Sequence, residues 1–350
     1  MHHLVTGGSG YVGDSIIRQL VKKSESVISL DVIESQNKLE GVEYITGSIL
    51  DNDLLEKIIQ RVDYVHHNAA LVPLTKSGKL FEEVNVKGTK NVLECSIKHK
   101  IKHLCHMSSS AVFGIPKELP LLNLSLRQPV EIYGHSKKNA EDLVISCMAE
   151  NPSFSASIVR PRTILGTRRL GIFELLFKWI SKGIDVFLIG KGDGLFQFAH
   201  IDDIVNASIN SCLLSKKGIY NVGVLEFNTL SEDLKQLTNY AKTGSKVRHL
   251  PEKLSINGLR ILDKMNLSPF APWHYLTYHK PFFFESKYVY EKLEYSPKGS
   301  NIECLIESYN SYLKQQKFIV ESKDDIYSPH KSKLKANLID ITAKIISKLP

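Results

Sequence analysis

Cysteine is scarce in this sequence, tryptophan and methionine are rare, and no long apolar run is present. The five cysteines, Cys95, Cys105, Cys147, Cys212 and Cys304, are widely spaced and form no C-x-x-C pair. An odd, scattered set excludes a disulfide framework and a zinc knuckle. It reads as reduced, buried thiols in a cytoplasmic protein, with no metal site expected. No stretch reaches the length of about eighteen apolar residues that a membrane span requires, so none is expected. The N-terminal MHHLVTGG already reads as a strand entering its turn, which leaves no room for a secretory leader. Internal repeats and low-complexity tracts are also missing. What remains is an ordinary globular composition: 350 residues, 43% hydrophobic and 23% charged, enough for one large or two modest domains. The net charge of +8 favours anionic partners such as phosphorylated ligands or membrane surfaces.

The front of the chain carries the first chemical signal. A short apolar strand runs into Thr6-Gly-Gly-Ser-Gly-Tyr-Val-Gly13, and Val12, Ile16, Ile17, Leu20 and Val21 then recur at helical spacing. Gly7 allows a tight turn, Gly10 a close approach of backbone to a pyrophosphate, and Gly13 close packing of helix on strand. The helix N-terminus then faces the anion. A second strand, Ser26–Asp31, ends in an acid placed to accept bonds from the ribose hydroxyls. A 2′-phosphate would be repelled by Asp31, and no arginine follows in DVIESQ, so NAD is expected rather than NADP. Strands are predicted at 42–46, 62–66, 101–107 and 155–160, with helices at 51–60, 79–99 and 132–148 between them. That alternation implies a parallel sheet covered on both faces, a Rossmann-type doubly wound α/β fold.

Farther on, IYGHSKKNAE places Tyr133 four residues ahead of Lys137, on one helical face. A cation beside a phenol lowers its pKa toward the range useful for proton transfer. The same spacing also fits an amphipathic tyrosine at a helix edge, so the pair does not decide the matter.

The ordered set of motifs does. TGGSGYVG at 6–13, Asp31, GSILD at 47–51, HNAAL at 67–71, NVKGTKNV at 85–92, MSSSAVFG at 107–114, YGHSK at 133–137, VRPRTILG at 159–166 and FAHIDD at 198–203 follow one another. In this the chain resembles, from about residue 1 to 315, the extended short-chain dehydrogenase/reductases. That group holds nucleotide-sugar epimerases and dehydratases and the 3β-hydroxysteroid dehydrogenases. The resemblance implies a catalytic set of Ser109, Tyr133 and Lys137, with Lys137 also bonding the nicotinamide ribose. It places Tyr11 and Val12 at the pyrophosphate turn and Ser48 and Ile49 beside the adenine. Ala69, Ala70 and Leu71 are to line the cofactor, and Asn85 is to fix backbone nearby. Position 48 departs from the acid often found there.

Two further departures bear on the reaction. The 4,6-dehydratases carry an Asp-Glu pair where this chain has Ser110 and Ala111, so dehydration is not expected. Many nucleotide-sugar enzymes carry an arginine, which pairs with the diphosphate, where this chain has Phe196; Arg162, Arg168 and Arg169 are the candidates to replace it. His200 is expected to be structural, with Asp202 and Asp203 opening a helix at 202–214. The aromatic segment 268–284 reads as core, substrate wall or exposed patch, in that order. The expected organisation is an NAD-binding domain over 1–166, to which 196–224 return, and a smaller C-terminal substrate domain from 167–195 and 225–315. A linker and basic amphipathic tail helix occupy 316–350. In the tail, Leu334, Leu338, Ile341, Ile345 and Leu349 recur among lysines, a pattern for peripheral membrane contact through 331–350 or for docking on the protein. The expected activity is NAD-dependent hydride transfer at a secondary alcohol, foremost of a nucleotide sugar. A hydroxysteroid-like apolar alcohol is the second reading and a non-catalytic NAD sensor the third. A homodimer with a small-molecule substrate and no nucleic-acid partner completes the expectation.

Overall fold

A computed structural model describes residues 1–73, 77–168, 172–265 and 272–322. β1 (His2–Thr6) ends at the glycine turn, and α1 (Tyr11–Lys22) follows with Ile16, Ile17 and Leu20 buried on one face. Next come β2 (Ser26–Asp31), β3 (Val42–Thr46), α2 (Asn52–Ile59), β4 (Tyr64–His67), α3 (Gly88–Lys98), β5 (His103–Met107), α4 (Ile132–Glu150) and β6 (Ala156–Pro161). After β7 (Thr163–Leu165), α5 (Ile172–Ser181), β8 (Val186–Ile189) and β9 (Phe198–His200), the chain returns through α6 (Ile201–Leu213) to β10 (Gly218–Val222). Seven strands make one parallel sheet in the order β10-β6-β5-β4-β1-β2-β3. Strand order reverses between β1 and β4, and the crevice at their carboxyl ends is where such sheets take ligands.

Both faces of the sheet are covered, so its central strands tolerate few exposed positions; every residue of β4, β5 and β6 is buried. The interior nonetheless holds five histidines from β1, β4 and β5. On one face His3 Nδ1 meets His66 Nε2 at 3.1 Å, His66 Nδ1 meets Ser208 Oγ of α6 at 2.8 Å, and His103 lies between Ser155 and Ser157. On the other, His67 bridges Thr6 and Thr89, while neither nitrogen of His106 has a partner among the described residues. Cys105 of β5 and Cys212 of α6 pack in one apolar cluster, both thiols free and pushed up in pKa by burial.

The remaining elements are α7 (Leu230–Ala241), β11 (Val247–Leu250), α8 (Glu252–Lys264), α9 (Pro272–Thr277), α10 (Lys287–Lys292) and α11 (Asn301–Ser322). β11 pairs with β8, and a separate core of Leu165, Phe177, Phe196, Phe198, Leu237 and Tyr309 ties this lobe together. Several boundaries depart from the sequence reading. β4 starts at Tyr64 rather than Val62, and β5 at His103 rather than Ile101. The long helix expected over 79–99 is π-helical at Glu82–Lys87 before α3 begins. The linker expected from residue 316 is still helix through Ser322. The basic tail at 331–350 lies outside the described residues. Among the described residues no helix is long and apolar enough to cross a membrane.

Candidate active site

The glycine turn is built by close approach. Gly7 takes φ +69°, and a Cβ there would stand 2.7 Å from the Ala69 nitrogen; one on Gly13 would meet the Gly7 carbonyl at 2.1 Å. Both positions therefore exclude any side chain. The turn is pressed against the chain leaving β4, where Thr6 Oγ1 accepts from the Asn68 and Ala69 N–H groups at 3.2 Å. Gly10 is the residue before α1, so the first-turn N–H groups of that helix, at Tyr11 and Val12, point into the crevice mouth. Asp31, at the end of β2, orders the turn through Ser9 N–H at 3.0 Å and Ile33 N–H at 2.9 Å. Its oxygens keep acceptor capacity for further donors.

Beyond Ala69 and Ala70, Leu71 is clamped by Asn85: Oδ1 accepts from the Leu71 N–H at 2.8 Å and Nδ2 donates to its carbonyl at 3.1 Å. Asn85 Nδ2 also reaches Ser136 Oγ, 3.0 Å away on α4. The π-turn presents this asparagine, a common use of that local widening. Ser48 Oγ accepts from the Leu50 N–H at 3.1 Å. Ile49 is buried, with its side chain turned onto Gly88 rather than toward the crevice.

α4 opens on Glu131, whose carboxylate accepts the Tyr133 and Gly134 N–H groups. Tyr133, Lys137 and Glu141 then form one buried stripe along it. The Tyr133 hydroxyl lies near enough to the side chain of Ser109, the residue preceding a short 3₁₀ turn after β5, for that hydroxyl to favour the ionised phenol. Lys137 Nζ donates to the Met107 carbonyl at 2.6 Å. The expected pKa effect is not observed. Burial pushes Tyr133 up to about 12, with the Ser109 hydroxyl opposing, and pulls Lys137 down to about 8. Desolvation disfavours both charged forms, and the ammonium is spent on a backbone carbonyl rather than on the phenol.

Glu141 was not singled out by the sequence. It is fully buried and takes Arg160 in a bidentate pair at 2.7 and 2.6 Å, with Arg127 at 2.9 Å and the Ser108 hydroxyl as further donors. The network fastens α4 to β6, and only the separation in sequence hid it.

With this geometry in view, comparison with known proteins is decisive. The sequence model described as the NAD dependent epimerase/dehydratase family matches residues 3–223. The chain belongs to that family. It is 33% identical over 347 residues to the uncharacterized protein y4nG of Sinorhizobium fredii, covering 99% of this chain and 87% of that one. It is 29% identical over 242 residues to a putative UDP-glucose 4-epimerase of Methanocaldococcus jannaschii, covering 65% of this chain and 79% of that one. The UDP-glucose 4-epimerase of Thermotoga maritima, solved with UDP-glucose, superposes with a TM-score of 0.73 at 22% identity, over 90% of this chain and all of that one. This is an NAD-dependent enzyme of the epimerase/dehydrogenase type.

In this epimerase/dehydratase-family member the residues around position 196 are arranged unusually. Phe196 is core, and the Arg162 guanidinium carbon lies over two rings, 4.3 Å from the Phe196 centroid and 4.1 Å from that of Phe282. Arg162 is 1% exposed; its Nη1 reaches Ser110 Oγ at 3.4 Å and Thr163 Oγ1 at 3.3 Å. Nε and Nη2 have no partner among the described residues, and burial pulls the group down to about 10. Arg168 is instead paired with Asp14 on α1, and Arg169 lies outside the described residues. His200 is buried and caps α6 by accepting the Asp202 N–H at 3.1 Å, while Asp203 binds the Tyr290 hydroxyl and the Lys298 N–H. Both have structural partners. Of segment 268–284, the described part is largely core: Trp273, Phe282 and Phe284 share a cluster with Phe81, Phe113 and Tyr133.

Proposed function

We propose that the protein is an NAD-dependent epimerase or dehydrogenase acting on the secondary alcohol of a nucleotide sugar, with Ser109, Tyr133 and Lys137 as its catalytic residues. The observation that carries this reading is the buried Tyr133 and Lys137 of α4, brought to the carboxyl end of β5 with Ser109 beside the phenol. In the oxidising direction Tyr133 acts as its phenolate: the alcohol proton passes to the ionised Oη, the carbon-bound hydride departs, and a carbonyl forms. Ser109 holds the same oxygen throughout. NAD, when bound, supplies the hydride acceptor and a positively charged ring that offsets the burial keeping Tyr133 protonated. Return of the hydride to the opposite face of the carbon gives the epimer; release of the ketone gives the oxidised product. The cofactor shell in this reading is Gly7, Gly10, Tyr11, Val12, Gly13, Asp31, Ser48, Ile49, Ala69, Ala70 and Leu71, on an NAD-binding domain of 1–166 with 196–224. Residues 167–195 and 225–315 take the substrate.

A second reading, an apolar or sterol-like alcohol, is favoured by the aromatic cluster that surrounds Tyr133. Incubating the full chain with NAD and panels of nucleotide sugars and sterols, while following NADH absorbance and epimer formation, separates the two. Tyr133→Phe should bind NAD as the native enzyme does and lose turnover; a variant that keeps more than about a tenth of the rate refutes the assigned proton transfer. Homodimerisation, a cytoplasmic location and membrane contact through 331–350 belong to the same proposal. Cosedimentation with anionic vesicles, with and without 331–350, tests the last.

A further inference from the structure

The enzyme buries the Arg162 guanidinium with no carboxylate paired to it among the described residues. The Arg162 guanidinium carbon lies over the rings of both Phe196 and Phe282, and Nη1 is turned toward Ser110 and Thr163. The edge left over is Nε with Nη2, two parallel N–H groups with no acceptor among the described residues. A guanidinium does not escape such burial by losing its proton at neutral pH, so an unpaired edge is costly unless an anion completes it.

We propose that Arg162 is the receptor for a carboxylate on the substrate, taken side-on by its Nε–Nη2 edge. This rests on the reading that Ser109 and Tyr133 mark the reacting alcohol, and it narrows that substrate to a hydroxy acid. Position supports it. Ser110, which Nη1 reaches at 3.4 Å, directly follows Ser109, which stands beside Tyr133, so the guanidinium is a near neighbour of the reacting alcohol. The acid group therefore sits on a carbon close to the oxidised one, not at the far end of a nucleotide. Shape supports it as well. The guanidinium carbon lies over two apolar rings, and a planar carboxylate offers two oxygens that match the two N–H groups of the free edge. The edge is closed to bulk water here, so the acid reaches it by displacing aromatic side chains. Trp273, whose ring centroid lies 6.5 Å from that of Phe282, reports that displacement.

The test uses the full chain loaded with NAD, in native form and as Arg162→Met and Arg162→Lys. Turnover is measured on matched acid and neutral substrates: UDP-glucuronate against UDP-glucose, and a 4-carboxysterol against its 4-methyl counterpart. Native enzyme should prefer the acid in whichever pair it accepts. Both variants should lose that preference through a rise of about ten- to hundredfold in KM, with NAD binding unchanged. Equal use of the neutral member by native enzyme, or an acid preference that survives in both variants, overturns the proposal. If native enzyme turns over neither pair, the catalytic reading has failed, and a tryptophan-fluorescence titration with benzoate and with inorganic phosphate decides about Arg162 alone. Benzoate saturation of the native chain but not of Arg162→Lys supports the receptor. Equal responses of the two chains, or a stronger response to phosphate, defeats it.

Discussion

Acidification should act on this protein through the histidines of β1, β4 and β5. Burial is the largest cause in each case: it lowers His3 and His103 to about 4 and His67 to about 3, and holds His66 and His106 well below the ordinary range. In the unfolded chain each titrates near 6.5. A depressed folded pKa contributes stability that is complete above the unfolded value and is lost as pH falls below it. Between pH ~7 and ~5.5 each such histidine costs about 1.2 kcal/mol, so five cost about 6 kcal/mol. Asp203, raised to about 6 by burial, works the other way, because the folded chain then holds its proton more readily. It returns about 0.8 kcal/mol over the same interval. Glu131 and Asp233 are raised too and share that sign. The net loss, about 5 kcal/mol, equals the whole stability of a marginal domain. Urea unfolding followed by circular dichroism at a series of pH values should show the midpoint falling steeply below pH ~6.5, with an initial slope of several protons. His106→Phe breaks no hydrogen bond and should remove about one proton from that slope. A midpoint that stays level down to pH ~5.5, or a slope below one proton, refutes the assignment of these rings as neutral and buried.

Asp31→Ala should weaken NAD by about 1.5–3 kcal/mol while affecting NADP less, narrowing the ratio of the two dissociation constants in a fluorescence titration. An unchanged ratio would show that the carboxylate does not meet the ribose. Glu141→Ala should destabilise the fold by about 3–5 kcal/mol in denaturant, because Arg160 is left buried and unpaired. Adding Arg160→Met should recover much of that loss; simple additivity of the two changes would contradict the pairing.

Much of the fold was legible because it is written in local periodicity. β2 runs Val27, Ile28, Ser29 and Leu30 as a continuous buried strand, and α1 carries its apolar residues at helical spacing. The π-turn at Glu82–Lys87 was not, since nothing local separates it from α-helix; the position of Leu71, which Asn85 must reach, selects it. Tyr133 and Lys137 were visible as neighbours, but their electrostatics depend on burial, and burial reversed the expected shift of the phenol. The Glu141–Arg160 pair and the strand histidines share one reason for escaping notice. Their partners come from elements nineteen to more than a hundred residues away, as with His66 and Ser208. Phe196 read as a lost cation; in space it supports one, brought by Arg162 from the β6–β7 junction.

The buried thiols give the protein a clock of its own. Cys105 and Cys212 lie at the seam between the sheet and α6, and burial holds both protonated as well as hidden. An alkylating reagent needs an exposed thiolate, so it can modify these two only in molecules where α6 has lifted away. Half-buried Cys147, on the outer part of α4, should react first and serves as an internal reference. At reagent concentrations where alkylation outpaces reclosing, the slow phase of labelling counts openings of that seam. The rate at Cys105 and Cys212 with and without NAD would tell how far the cofactor quiets the breathing of that layer.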